Sequence, residues 1–527
     1  MTSPLSRSRS RRAASPTALR VAHAALGGLA AAGWLGLPVV RAGAEAVAAP
    51  PRQGGTSTVD LVIPLVTVVV AGALAAYTYT RRIRRARTRT TPGGGVTHTV
   101  PFAELDRRSR RSLVEIDDCV RTSAEELGWA AARFGEEAVG ACAQALAYAR
   151  SELSVAFRLR QRLDDTVPDD DLVRRQLLEE IGARCAEAGR RLDTEAAGFD
   201  LLRALERTLP AALELAEARF RELAGRTPAA EATLAELHER YAPSASLPVA
   251  GHVEQAKDRL VFATTHLNQA RQSLDRGEGA KATAYLRAAE GAVDQAGLFV
   301  AGVDRLASEL AAAVDRLPGA LDDTETGLAT ARALPGVGAS PGRIAHAAAI
   351  VADVRREMRD VGDTGDIGDT AGGSRPYDPL DALRRVTEAA VGLAEAHVPL
   401  GLALLDRALL PARSAVALGS DFVTTHRGAV GSEARTRLAE AERHLALTPL
   451  VLADVRRADA LARDAEQLAE RDVRAYGNPY AGPEGAGAGV GGAVLGGILL
   501  GDAPGGPAAG FGGPRTRGRS GAATGKP

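Results

Sequence analysis

Residues 253–303, VEQAKDRLVFATTHLNQARQSLDRGEGAKATAYLRAAEGAVDQAGLFVAGV, decide the fold. Apolar residues recur every seven positions on both sides of a break that holds two glycines, Gly277 and Gly279. The heptad positions are Val253, Leu260, Leu267 and Leu274 before the break, and Leu286, Ala289, Val293, Ala296, Val300, Val303, Leu310 and Leu317 after it. Two apolar stripes joined by a short turn bury against each other, which predicts an antiparallel helical hairpin.

The same helical spacing continues through residues 99–476. Three segments, 253–299, 343–396 and 433–470, each contain a helix, a break and a second helix; their similarity fits either an internal duplication or a shared Ala-rich composition. Helix starts are predicted at four prolines, Pro210, Pro228, Pro341 and Pro379. Aromatic residues make up only 4% of the chain. We therefore predict an all-α fold: long antiparallel hairpins in a coiled-coil-like bundle array.

Two apolar stretches open the chain. Residues 1–48 have the layout of a signal peptide, although their length also permits an uncleaved signal anchor. A short extracytoplasmic linker, 49–60, precedes a predicted transmembrane helix at 61–80, whose apolar stretch is long enough to cross the hydrocarbon core. The alternative is a buried core helix followed by a solvated basic run.

A basic juxtamembrane linker at 81–98 follows the predicted transmembrane helix. Its arginines resist translocation, which predicts a single-pass plasma-membrane protein with its helical region in the cytoplasm. Contact with anionic headgroups contributes about 1 kcal/mol per basic residue. The residues predicted to touch the membrane surface are Arg81, Arg82, Arg84, Arg85, Arg87 and Arg89.

The formal net charge is zero, but it is distributed unevenly along the chain. Residues 1–95 carry +11, residues 96–501 carry −14 and residues 502–527 carry +3. A nucleic-acid-binding protein needs a positive patch on its folded body, so the acidic body excludes that class.

Two segments are predicted to lie outside the helical body. The acidic linker at 360–376 has aspartates every three residues from Asp360 to Asp369. Clustered carboxylates suit calcium, but the loop lacks the EF-hand pattern, and we favour a flexible linker. Residues 477–527 are rich in Gly and Pro, which predicts a disordered tail.

No catalytic, cofactor or metal site is predicted, and we do not expect an enzyme. The nine histidines are scattered, and His252 and His266 stand about 21 Å apart on one helix, too far to share a metal. Acidic pairs such as Asp164-Asp165 are interpreted as solvated residues. The three cysteines, Cys119, Cys142 and Cys185, are expected to be small buried residues in a reducing compartment.

Several stretches together resemble an actinobacterial family of TPM-domain-containing membrane proteins. They are TRRIRRARTRTTPGGG (80–95), AELDRRSRRSLVEIDDCVRTSAEELG (103–128), GHVEQAKDRLVFATTHLNQAR (251–271), YDPLDALRRV (377–386) and the NPYAG and GGAVLGGILLG parts of 478–501. The resemblance implies an exported TPM domain, linked in plants to phosphatase activity, before the membrane helix. Here residues 49–60 leave no room for it, so no catalytic residue is carried over.

The leading hypothesis is a membrane-anchored helical scaffold that binds unknown protein partners and can self-associate. Two alternatives are the partner half of a split TPM phosphatase-like system and a family member that has lost its catalytic domain.

Overall fold

A computed structural model describes residues 100–166, 170–333, 340–362, 376–394, 401–476 and 510–517. Within these ranges the chain forms twelve α-helices, one 3₁₀ turn (Leu247–Val249), a single helical turn at 514–517 and no β-strand, so the predicted all-α class is confirmed. The helices are α1 (Phe102–Phe134), α2 (Gly140–Asp165), α3 (Asp171–Arg203), α4 (Leu205–Arg240), α5 (Pro243–Ser246), α6 (His252–Asp275), α7 (Gly279–Ala333), α8 (Pro341–Gly362), α9 (Pro379–Ala394), α10 (Gly401–Thr425), α11 (Ser432–Leu445) and α12 (Leu452–Ala475).

The hairpin predicted from residues 253–303 is formed by α6 and α7. Leu260 and Leu267 of α6 are at most 8% exposed, and Leu286 and Val303 of α7 are fully buried. The heptad lines therefore face each other as expected. Gly277, in the turn between the helices, has a φ of 73°, which glycine adopts without steric cost.

Helix α7 is the central element of the described fold. It has 55 residues, which corresponds to a length of about 80 Å. Helices α4, α6, α8, α9 and α10 all pack along it. Its buried stripe continues well past the hairpin, through Leu306, Leu310, Leu317 and Leu321. This continuity explains why one helix can organise so many partners.

Two of the four predicted helix starts are correct. Asp378 caps α9 by accepting a hydrogen bond from the Asp381 backbone N–H at 3.1 Å, and α8 begins at Pro341. The starts predicted at Pro210 and Pro228 are wrong, because both prolines lie inside α4. The apolar face of α4, buried in the main core, offsets the backbone hydrogen bond that each proline removes.

The break before α4 falls instead at Ala204, whose φ of 36° is the left-handed value. Next to it, the Arg203 guanidinium is 4% exposed and donates to two carboxylates: Glu126 of α1 at 2.6 Å and Glu290 of α7 at 2.7 Å. These contacts fix the end of α3 between two other helices. The position of the chain break therefore depends on tertiary contacts, and no local turn signal marks it.

Helices α1, α2 and α3 enclose a second apolar cluster. Leu113, Leu146 and Leu192 are among its buried members, and all three cysteines lie in it. Asp164 and Asp165, interpreted above as solvated, also form ion pairs: the half-buried Asp164 with the buried Arg160, and the exposed Asp165 with Arg437 of α11. Asp165 therefore helps to join α2 to α11.

None of the helices in the described ranges combines the length and the apolar character that a bilayer span requires. The predicted signal segment (1–48), linker (49–60), membrane helix (61–80) and basic linker (81–98) all lie outside the described residues. Most of the acidic linker and of the tail does too; of the linker, residues 360–362 continue α8.

Candidate functional sites: a docked C-terminal segment and a polar cleft

The first site is a groove beside α1 and α3 that holds residues 510–517, the docked segment. Phe511 of this segment is fully buried and stacks on Phe199 of α3, with ring centroids 4.6 Å apart. It belongs to the same apolar cluster as Cys119 and Cys185. The prediction of a disordered tail therefore fails for these eight residues, because one aromatic side chain completes the core of the first three helices.

Asp193 of α3 is the main polar anchor of the docked segment. Its carboxylate accepts hydrogen bonds from the Gly513 N–H at 3.0 Å, the Thr516 N–H at 3.0 Å and the Thr516 hydroxyl at 2.6 Å. Residues 514–517 form one helical turn, so Asp193 caps this turn from a neighbouring helix. The contact holds the segment's backbone as well as its side chains.

Two further polar contacts tie the docked segment to α1. The Gly512 N–H donates to the Ser123 hydroxyl at 3.2 Å, and the Arg517 guanidinium donates to the Asp118 carbonyl oxygen at 2.9 Å. The segment therefore contacts both walls of the groove.

The backbone of the docked segment lies so close to the backbone of α3 that only glycine fits at some positions of the contact. A Cβ on Gly513 would lie 2.2 Å from the Gly189 carbonyl oxygen, and a Cβ on Gly189 would lie 2.9 Å from Pro514 Cδ. Gly512 has a φ of 139°, a value that other residues rarely adopt. By contrast, a Cβ on Gly510 would meet only the flexible end of Arg287, at 3.1 Å.

The second site is a cleft of about 910 Å³ lined by α1, α2, α4, α7, α10 and α11. This volume lies in the range of small-molecule sites. Its apolar lining includes Val120, Leu153, Phe157 and Leu298, and its charged lining consists of Asp117, Arg121, Glu125, Arg150, Arg219, Asp294, Asp421, Arg435, Glu442 and Arg443.

Asp294 has an unusual charge state for a cleft residue. Burial, with the added effect of the Glu125 charge, raises its pKa to about 8, so the carboxyl group is mostly neutral at pH 7. Its Oδ2 accepts a hydrogen bond from the Trp129 indole N–H at 2.7 Å. The Arg219 guanidinium lies 4.0 Å from the centroid of the same indole ring. A tryptophan therefore links the two groups at this end of the cleft.

A smaller cavity of about 220 Å³ is lined by His252, His426, Phe299 and Glu466, among others. Burial lowers the pKa of His252 to about 4 and also lowers that of His426, so both rings are neutral at pH 7. The structure thus joins histidines that lie far apart in the sequence, whereas His266 stacks elsewhere on Phe262. Across the residues that the structure describes, no group of three or more His, Cys, Asp or Glu is arranged to hold a metal ion.

The three cysteines are buried, as predicted. Burial raises the pKa of Cys119 and of Cys185 to about 12, so neither thiol ionises at neutral pH. They are unreactive packing residues in this fold.

Sequence reasoning missed both sites. The six arginines predicted to touch the membrane, Arg81 to Arg89, lie outside the described residues and contribute to neither. Phe511, one of two aromatic residues in the Gly-rich tail, was the one available signal for the docked segment. No sequence motif marks the cleft, because its lining residues come from six helices spread over more than 300 positions.

The chain is 34% identical over 416 residues to UPF0603 proteins from two strains of Mycobacterium tuberculosis. The match covers 74% of this chain, which in turn spans 61% of the length of those relatives. It supports the resemblance to an actinobacterial family of uncharacterised proteins, without addressing the TPM domain or the membrane segment. No family model and no solved structure matches the chain.

Proposed function

We propose that this protein is a membrane-anchored, non-enzymatic scaffold whose cytoplasmic helical unit binds an extended chain segment in the groove beside α1 and α3. The observation that carries the proposal is the docked segment, with Phe511 fully buried and Gly513 against the Gly189 carbonyl oxygen. A groove that selects an aromatic side chain and a glycine backbone in one segment has the properties of a peptide-recognition site.

The energetics favour an exchangeable contact. Burial of one Phe side chain contributes about 1.5–3 kcal/mol, and each net hydrogen bond about 0.5–1.5 kcal/mol. Ordering the backbone of these eight residues costs about 1–2 kcal/mol for each residue, which is comparable with the whole of that gain. The two contributions nearly cancel, so the docked segment can leave the groove, as a scaffold that exchanges partners requires.

The occupant that we propose in trans is the same segment from a second copy of the chain. Thirty-three residues separate Tyr476, after α12, from Gly510. Exchange of C-terminal segments between copies would link chains tail to body, a heterologous contact that generates rings or open assemblies. This gives the predicted self-association a defined contact.

The test uses the full-length chain and a fluorescein-labelled peptide, GFGGPRTR, which corresponds to residues 510–517. In the chain, Gly513→Ala creates a clash with backbone and should free the groove, so this variant should bind the peptide saturably by fluorescence anisotropy. The wild-type chain should bind it more weakly, because its own segment competes. Gly510→Ala is the matched control and should behave as the wild type, since only a flexible side chain must move.

Adding Asp193→Ala to Gly513→Ala should abolish peptide binding, because the anchor of the segment is lost. If the peptide binds the double variant as well as the single one, the groove is not the recognition site and the scaffold proposal loses its support. Equal binding by wild type, Gly513→Ala and Gly510→Ala would have the same consequence.

The membrane anchor and its direction need a separate test. The native cysteines are buried and cannot report topology. Leu247, at 72% exposure, accepts a reporter, so Leu247→Cys should react with a membrane-impermeant maleimide only after the cells are permeabilised. Labelling in intact cells would place the helical unit outside. Release of the protein by alkaline carbonate would contradict the anchor.

The alternative of a split phosphatase-like system is distinguished by affinity purification of the full-length protein, compared with a chain ended after Pro92. A separate exported TPM-domain protein recovered only with the full-length chain would favour the split system. Recovery of further copies of this chain would favour the scaffold.

A further inference from the structure

We propose that the cleft between α1, α2, α4, α7, α10 and α11 is a binding site for a small organic anion with an apolar body, held by Arg150 and Arg219. This site is independent of the peptide groove, and neither arginine contacts the docked segment.

Apart from Asp294, which is bound by the Trp129 indole, the carboxylates of the cleft have cationic or hydroxyl partners. Asp117 accepts from Arg121 Nε at 3.0 Å and from Arg435 at 2.6 Å. Elsewhere in the lining, Glu125 is paired with Arg427, Asp421 accepts from Arg305 at 2.6 Å, and Glu442 accepts a hydrogen bond from Ser420. A cationic ligand would therefore have to displace an existing partner.

Two of the cleft's arginines lack such a partner. Among the described residues, Arg150 of α2 and Arg219 of α4 form no salt bridge or side-chain hydrogen bond with a carboxylate, and they act on Glu442 and Asp294 only through longer-range electrostatic attraction. Arg219 is held over the Trp129 ring, a contact that leaves its N–H groups free to donate. Guanidinium groups present several donors in a plane that matches a carboxylate or a phosphate. The charged groups of the cleft that lack a hydrogen-bonded partner of opposite charge are therefore these two guanidinium groups.

Asp294 does not oppose an anion at this position. Because burial and the charges of Glu125 and Glu290 raise its pKa to about 8, it is mostly neutral at pH 7 and can donate a hydrogen bond. Leu153, Phe157 and Leu298, which also line the cleft, supply an apolar surface. The combination of two donor cations, a neutral carboxyl group and an apolar wall fits an amphiphilic anion, either a carboxylate or a phosphate ester.

Trp129 provides a direct readout of binding. The chain has two tryptophans, so a Trp34→Phe background leaves Trp129, which touches Arg219 and Asp294, as the only indole. Octanoate and octyl phosphate, each titrated below its micelle concentration, should change the Trp129 fluorescence saturably. The relative affinities of the two probes distinguish a carboxylate site from a phosphate site.

Arg150→Gln and Arg219→Gln should each raise the dissociation constant about ten-fold or more. The matched controls are Arg158→Gln and Arg221→Gln, exposed arginines on the same two helices that do not line the cleft, and they should leave it unchanged. Octyltrimethylammonium should give no saturable signal. The proposal is overturned if neither anion saturates, if the cation binds as tightly as the anions, or if the cleft variants bind like their controls.

Discussion

Arg435 joins the last part of the helical unit to the first, and its removal tests how the fold is held together. The side chain is 1% exposed. Its guanidinium donates to Asp117 at 2.6 Å and to Asp118 at 2.7 Å, both on α1, and its Nε donates to the Val430 carbonyl oxygen at 3.1 Å. The substitution Arg435→Met keeps the apolar volume and removes every one of these donors.

The expected loss in the free energy of unfolding depends on the two carboxylates that remain after Arg435 is replaced. Asp117 keeps Arg121 as a partner, whereas the Asp118 carboxylate loses its ion pair while remaining buried. Removal of one partner of a buried ion pair costs about 3–5 kcal/mol, and because Asp117 stays paired we expect about 3 kcal/mol. Urea unfolding of the full-length chain, followed by far-UV circular dichroism, measures this loss as a lower midpoint at an unchanged slope.

Arg457→Met is the matched control. Its guanidinium is 51% exposed and lies 3.5 Å from Asp165, so we expect a change of about 0–1 kcal/mol. If Arg435→Met costs no more than this control, the buried pairs do not stabilise the fold and our interpretation of the junction between α1 and α11 is refuted. Adding Asp118→Asn should recover part of the loss, because the uncompensated charge is then removed.

The remaining predictions concern the hairpin and two titrating groups. Leu260→Asp and Leu267→Asp each bury an unpaired charge in the α6–α7 seam and should unfold or strongly destabilise the hairpin; unchanged helicity and melting would contradict the packing. The pKa of Asp294, raised to about 8 by burial, exceeds its unfolded value of about 3.9. The free energy of unfolding should therefore decline as the pH rises from about 4 to 8. Asp294→Asn should flatten that part of the plot of urea midpoint against pH. The pKa of His252, lowered to about 4 by burial, is below its unfolded value of about 6.5, so stability should fall as the pH drops from about 6.5 to 4; an unchanged acid profile in His252→Gln would argue against this.

The sequence predicted the helices and their buried faces well, because a seven-residue repeat follows directly from helical geometry. Leu260 and Val303 lie where their heptad positions place them. Prolines predicted the helix boundaries less well. Pro210 and Pro228 resemble helix starts, but both lie inside α4, because burial of its continuous apolar face stabilises the helix more than the two prolines destabilise it. Local signals fail where packing over many residues contributes more than one lost hydrogen bond.

The candidate sites were beyond sequence reasoning for a different reason. Arg435 and Asp117 are 318 positions apart, and nothing in a chain rich in arginine marks which guanidinium becomes buried. Arg150 and Arg219 differ from other surface arginines only by what surrounds them in space. The docked segment has no periodicity at all, because its fit depends on backbone contacts at Gly513.

The place of Phe511 near the end of the chain has a consequence for biosynthesis. The ribosome makes Phe199 and the rest of α1 to α3 early, and at typical translation speeds it reaches Phe511 roughly 15 to 60 s later. During that interval the ring of Phe199 has no stacking partner. Each nascent chain thus passes through a stage in which its peptide groove is vacant. During that stage the finished C-terminal segment of an older copy can occupy the groove before the chain's own segment has been synthesised.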